Sequence, residues 1–139
     1  MEIIAVAEQT VLANQNVLFT DQVTCGNCSI THRDGSGLVS LHGNTSQCRA
    51  RYKVSFGGNI AIPTGGTVEA ISIALAIDGE GLASSTLIVT PAAVEEYFNV
   101  FGAMFVDVPK GCCLTVSVRN VSEQSILVQN ANLIIERVA

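Results

Sequence analysis

Apolar residues along this chain recur at every second position, in short runs, and the runs are cut by Gly, Pro, Asn, Asp and Ser. "EIIAVAE", "NVLFTDQV", "CSITHRDGSGLVSLHG", "ARYKVSFGGNIAIP", "GTVEAISIALAIDGEG", "STLIVTP", "YFNVFGAMFVDVP", "CCLTVSVRNVS" and "SILVQNANLIIERV" are the runs. Period two with β-branched residues, bounded by turn formers, predicts strands. "RDGSG" at 33–37 and "DGEG" at 78–81 carry hairpin-turn chemistry, because Gly supplies the positive φ that tight turns need. An Asp-Gly pair also opens calcium loops, but neither stretch has the ladder of oxygen ligands that such a loop requires. "TPAAVEEYF" at 90–98 is the one segment with helical character and reads as a turn or short helix. The expectation is an all-β, antiparallel sandwich occupying residues 1–139 as one domain, with residues 1–24 as an N-terminal docking strand or arm.

The alternation also says which faces are covered. In "VEAISIALAI", Ile71, Ile73, Leu75 and Ile77 point one way and Ala70, Ser72, Ala74 and Ala76 the other. A row of Ala and Ser in place of Lys, Glu or Thr predicts that another layer or subunit packs closely on it. In "YFNVFGAMFVDV" both parities are apolar, with Phe98, Val100, Met104, Val106 and Val108 on one side and Phe101, Ala103 and Phe105 on the other. Such a strand is expected to be covered on both faces, by a loop of its own chain or by a second copy. "LTVSVRN" alternates cleanly, with Leu114, Val116 and Val118 inward and Thr115, Ser117 and Arg119 outward. The terminal run has Asn130 and Asn132 interrupting one apolar row.

Composition sharpens the second-copy reading. Charged residues make up 14% of the chain and apolar ones 48%, against roughly 25% charged in an average domain; the mean hydropathy is +0.43. No apolar stretch reaches the ~18 to 20 residues that cross a bilayer, so a soluble chain with too little charge to cover itself is expected to bury surface in an oligomer. Phe98, Val100, Phe101, Met104 and Phe105 are the expected contact residues. The net charge of −5 and scattered Lys and Arg argue against a nucleic-acid partner. The first residues lack the basic and apolar regions of a secretory signal, which points to synthesis in a cytoplasm with reduced thiols.

The five cysteines leave several readings open. Cys25-x2-Cys28-x13-His42-x5-Cys48 matches Cys₃His zinc spacing, although His42 and Leu41 face opposite ways on a strand and Cys48 must come round through "GNTSQ". A thioredoxin-like pair needs a strand-to-helix junction that is not in view. A Cys25–Cys28 or Cys25–Cys48 disulfide would form if the protein meets oxidant. The reading that asks least treats these cysteines as small buried hydrophobes, with no cofactor. Cys112 and Cys113 are adjacent on a strand, so one is expected to face the core and the other a neighbour.

Nothing in the pattern calls for catalysis. His32 and His42 are the only histidines, and neither lies near a Gly-x-Ser-x-Gly elbow. Glu95 and Glu96 are adjacent acids that read as a solvated turn rather than a carboxylate pair across a cleft. Tyr52 and Tyr97 are the only candidate stacking residues for a sugar, since the chain has no Trp.

From about Arg49 onward the order of signals resembles the jelly roll of tumour necrosis factors and complement globular heads. The likeness is carried by "ARYKVSFGGNIAIP", "ISIALAIDGE", "FVDVPKGCCLTVSVRNVS" and "NLIIERV", with "NVLFTD" similar to the extended segment ahead of the main sheets. Heads of bacterial collagen-like spore-surface proteins and small phage-encoded virion ornaments are similar still, although no Gly-X-Y stalk precedes the head here. The resemblance implies two antiparallel sheets and a homotrimer whose strands meet on a threefold axis. It further implies a non-enzymatic virion protein, a phage capsid decoration or head fibre, made in the host cytoplasm and seated on the major capsid or another virion protein. The alternative is a carbohydrate- or receptor-binding jelly roll on a phage fibre or bacterial surface.

Overall fold

The computed structural model of the chain describes residues 1–24 and 28–139. Among these the strands in chain order are β1 (Glu2–Ala5), β2 (Gln9–Val11), β3 (Asp21–Thr24), β4 (Ile30–His32), β5 (Val39–His42), β6 (Arg49–Ala61), β7 (Ile71–Ile77), β8 (Glu80–Gly81), β9 (Leu87–Val89), β10 (Phe98–Pro109), β11 (Cys113–Asn120) and β12 (Ile126–Arg137). A 3-10 turn at Ala83–Ser85 is the only helical piece among the described residues. The "TPAAVEEYF" stretch is accordingly a turn leading into β10, in which Glu95 takes φ 58°.

Two antiparallel sheets stack face to face. The first runs β10-β6-β12-β1-β3, with β2 also beside β12; the second runs β4-β5-β11-β7-β8, with β9 also beside β7. The fold class expected from the pattern is the one observed. Asp78 and Gly79, at φ 51° and 85°, make the two-residue turn from β7 to β8; this is the mirror-image turn whose twist suits a hairpin. "RDGSG" likewise lies in the connection between β4 and β5, whose residues Ile30 to His32 pair with Leu41 to Val39. Residues 1–24 are not a free arm. β1 is paired on both sides, with β12 and β3, and Ile3 is fully buried.

The core lies between the sheets and is filled by one parity of each long strand, including Tyr52, Val54 and Phe56 of β6, Val116 of β11 and Leu133 of β12. β12 follows its neighbour β6 except at Asn130, where the register shifts and φ is 55°. That extra residue is a bulge, the physical reason the apolar row of the terminal run is broken there. Two expectations about coverage change. Ala74 and Ala76 are buried already within the single chain, so their covering needs no second copy. Ser117, expected outside, is 1% exposed.

Candidate functional site

β10 is the end strand of its sheet and pairs along its whole length with β6, from Phe98 opposite Ile60 to Pro109 opposite Arg49. Its even positions turn inward, with Val100, Val106 and Val108 buried and Met104 packed against the core. Its odd positions turn outward, and Phe101 and Phe105 stand 64% and 61% exposed. The five residues expected to form one contact are thus divided between two faces. Val100 and Met104 serve the chain's own interior, Phe98 is half-buried on the same parity, and only Phe101 and Phe105 are presented outward.

The outward face extends across the sheet. Phe101 lies opposite Gly57, Ala103 opposite Ser55, and Ser55 in turn opposite Ile134 of β12, which is 37% exposed. Gly57 has a steric reason: a Cβ there would sit 2.5 Å from the Val100 carbonyl oxygen and 3.1 Å from Cδ2 of Phe101. The Phe101 ring therefore rests on bare backbone, an arrangement that shields the ladder beneath a strand glycine. At one end the apolar face meets charge. The Arg51 guanidinium is 5.9 Å from the Phe105 ring centroid and donates to Asp107 at 2.8 and 3.1 Å, while Arg49 is 3.3 Å from the same carboxylate. Hydrogen bonding from Arg51, with its charge and that of Arg49, holds the Asp107 carboxyl below its usual value. Sequence reasoning found the phenylalanines but not Gly57 or Ile134, because strand register is not written in any single strand.

The two expected stacking residues differ in exposure. Tyr52 is fully buried, and its hydroxyl donates to the carbonyl oxygens of His42 at 2.6 Å and Ser29 at 3.3 Å. Tyr97 is half-buried, donates to the Glu8 carboxylate, and has its hydroxyl pushed up to about 12, first by desolvation and then by that hydrogen bond and the Glu8 and Glu95 charges. Glu95 itself accepts from Thr64 Oγ1 at 2.7 Å in an exposed turn.

The cysteines are placed differently from the least-demanding reading. Cys28, Cys48, Cys112 and Cys113 are exposed free thiols, not buried hydrophobes. Cys112 lies in the turn before β11 and Cys113 opens that strand, so neither faces the core. The zinc and disulfide readings that involve Cys25 lie outside the described residues. Among the described residues no three His, Cys, Asp or Glu side chains gather as a metal site. His42 turns instead to Cys113, with Nδ1 3.0 Å from Sγ, a partnership across 71 residues that no local motif announces. His32 Nε2 lies 2.8 Å from the Ser36 carbonyl oxygen.

No family model matches the chain, and no curated protein matches it. Among solved structures, the globular domain of the zebrafish complement 1qA protein is similar over 96% of this chain and 93% of that one, with TM-score 0.63 and 12% identity. The fold is a jelly roll. The family resemblance read from the sequence thus holds at the level of fold, as the sheet order β10-β6-β12-β1-β3 facing β4-β5-β11-β7-β8 also requires. Two sugar-binding modules overlay far more loosely. CBM35 from Cellvibrio japonicus Abf62 has TM-score 0.40 at 9% identity, covering 100% of this chain and 98% of that one. The CBM22-1 xylan-binding domain of Paenibacillus barcinonensis Xyn10C has TM-score 0.38 at 11% identity, covering 99% and 87%.

Proposed function

We propose that this jelly roll is a non-catalytic structural module that closes on two further copies of itself, serving as a homotrimeric ornament of a virion, a phage capsid decoration or head fibre. The observation that carries the self-association is the outward face of β10, where Phe101, over Gly57, and Phe105 stand in solvent. Two large aromatic rings left in water on the outer face of one strand, with Ala103 between them and Ile134 across the sheet, form an apolar patch, and such patches mark interaction surfaces. Closure by three copies, in place of two, follows the sequence resemblance to tumour necrosis factors and complement heads. A ring of like subunits also repeats one contact without leaving an open end.

Support for a virion position is of a different kind. Exposed reduced thiols suit assembly inside a cytoplasm, and a trimer suits a threefold position on a shell, whose major capsid protein would be the partner. A second reading, a receptor- or glycan-binding module, rests on a shallow cavity of about 380 Å³ lined by Gln15, Asn16, Leu18, Arg33, Asp34 and Leu38. Amide and ionic groups between two exposed leucines suit a polar ligand with one apolar face; a clear glycan-array hit lost on R33A would put this reading first.

Sedimentation equilibrium of the purified chain tests the first reading. A mass of three times 14.6 kDa is expected, and a monomer at high micromolar concentration overturns it. The flanking genes test the placement: a capsid gene alongside is expected, and a metabolic operon overturns it.

A further inference from the structure

We infer that Cys113 is a thiol-exchange site, activated by His42, that takes small disulfides carrying carboxylates. This does not rest on the trimer. β5 and β11 pair with Leu41 opposite Leu114 and His42 opposite Cys113. Leu41 is fully buried and Leu114 packs on the core, so the next pair along points away from the core. Cys113 and His42 therefore lie on the outer face of the second sheet, remote from the Phe101–Phe105 face on the outside of the first.

The dyad has the geometry for proton transfer. His42 Nδ1 is 3.0 Å from Cys113 Sγ, and Nε2 is 3.4 Å from Thr31 Oγ1 on the neighbouring strand. With its ring hydrogen on Nε2 facing that hydroxyl, the imidazole offers Nδ1 as acceptor to the thiol. Cross-strand pairing holds sulfur and nitrogen together through the backbone ladder, so the pair is pre-positioned before any ligand arrives.

The surroundings select the ligand. The Gly43 N–H donates to the Cys112 carbonyl at 2.8 Å, Gly111 N–H to Gly43 at 3.1 Å, and Lys110 N–H to Cys48 at 3.1 Å. These bonds fasten the segment carrying Cys48 to the turn carrying Lys110 and Cys112. Arg137 reaches the same loop, donating to the Asn44 carbonyl at 2.8 Å. In a chain of net charge −5, Lys110 and Arg137 thus stand at the end where the thiols are, which favours anionic reactants.

The step balances without another oxidant. The Cys113 proton passes to His42 Nδ1, and the thiolate attacks one sulfur of the incoming disulfide. The Cys113–S–S–R bond forms as the old S–S bond breaks, and the departing thiolate takes the proton back from the imidazolium or from water. The disulfide is reduced to one thiol, and Cys113 is left as a mixed disulfide.

The reduced full chain, treated with glutathione disulfide and mapped peptide by peptide over time, provides the test. Cys113 is expected to carry the adduct first, about tenfold ahead of Cys28, Cys48 and Cys112. H42N and H42Q are each expected to slow Cys113 about tenfold while leaving the other thiols unchanged. C113S is expected to abolish the fast phase. Uncharged 2-hydroxyethyl disulfide should react more slowly and without dependence on salt. Equal rates at all thiols, or an unchanged Cys113 rate in a folded His42 variant, overturns the assignment. If both His42 variants unfold, persistence of the fast phase in C113S overturns it instead. Equal, salt-independent rates for the two disulfides overturn the anion preference.

Discussion

At the scale of the residue, burial decides what each tyrosine does. The Tyr52 hydroxyl lies in the core, where the His42 carbonyl accepts its proton at 2.6 Å. Y52F is expected to lower unfolding free energy by about 1 kcal/mol, the usual net worth of such a bond. Denaturant titration at neutral pH checks it, and no change would mean the carbonyl finds another donor. Tyr97 gives a pH signature instead. Its hydroxyl is raised to about 12 in the folded chain, against about 10 when unfolded. The native state thus holds the proton more tightly, so this contribution is complete below about pH 10 and is lost as pH climbs through about 12. Stability measured at steps across that window is expected to fall less steeply in Y97F than in the parent chain; identical slopes would remove Tyr97 from the account.

At the scale of the element, β6 and β10 stand or fall together. An added methyl at Gly57 would meet the Val100 carbonyl oxygen at 2.5 Å, and neither strand backbone yields cheaply. G57A is expected to cost about 1 to 3 kcal/mol, the range for overpacking. It should also shift the Phe101 ring resonances, which a merely local loss of stability would leave in place. The same pair of strands shows what is readable in a sequence. Strand existence, the Asp78-Gly79 hairpin and the inward parity of Val54 and Phe56 all follow from period two and turn chemistry. Tyr52 shares that parity in "ARYKVSF", so its burial was legible, and treating it as a stacking residue overrode the alternation of its own strand. The two-sided apolar pattern of β10 was equally visible, but not which parity faced solvent, because that depends on the sheet lying on one side only. The Cys113–His42 pair and the seat of Phe101 on Gly57 come from register between strands far apart in the chain, and no local spacing encodes register.

At the scale of the whole molecule, the question is what the Phe101–Phe105 face contributes to assembly. A phenylalanine buries roughly 150 to 250 Å² when fully enclosed, and about three-fifths of each ring here remains in water. Covering both would remove roughly 200 Å² of apolar surface per chain, worth about 5 kcal/mol at ~25 cal/mol per Å². Each 1.4 kcal/mol is about a tenfold change in an association constant, so loss of both rings should weaken every contact more than a thousandfold. The interior faces of β10 are untouched by such a change, since Val100, Val106 and Val108 belong to the other parity. F101S/F105S is therefore expected to sediment as a monomer while keeping the circular dichroism of an all-β fold. Ile134, on the same outward face beyond Ser55, should act in the same direction when changed to Lys, but more weakly because it is 37% exposed. A double variant that sediments at the same mass as an oligomeric parent would mean that copies meet elsewhere, and the exposed rings would then need a different partner. A double variant that unfolds would place the rings' contribution inside the chain, and I134K, which leaves both rings in place, would then carry the test of the face.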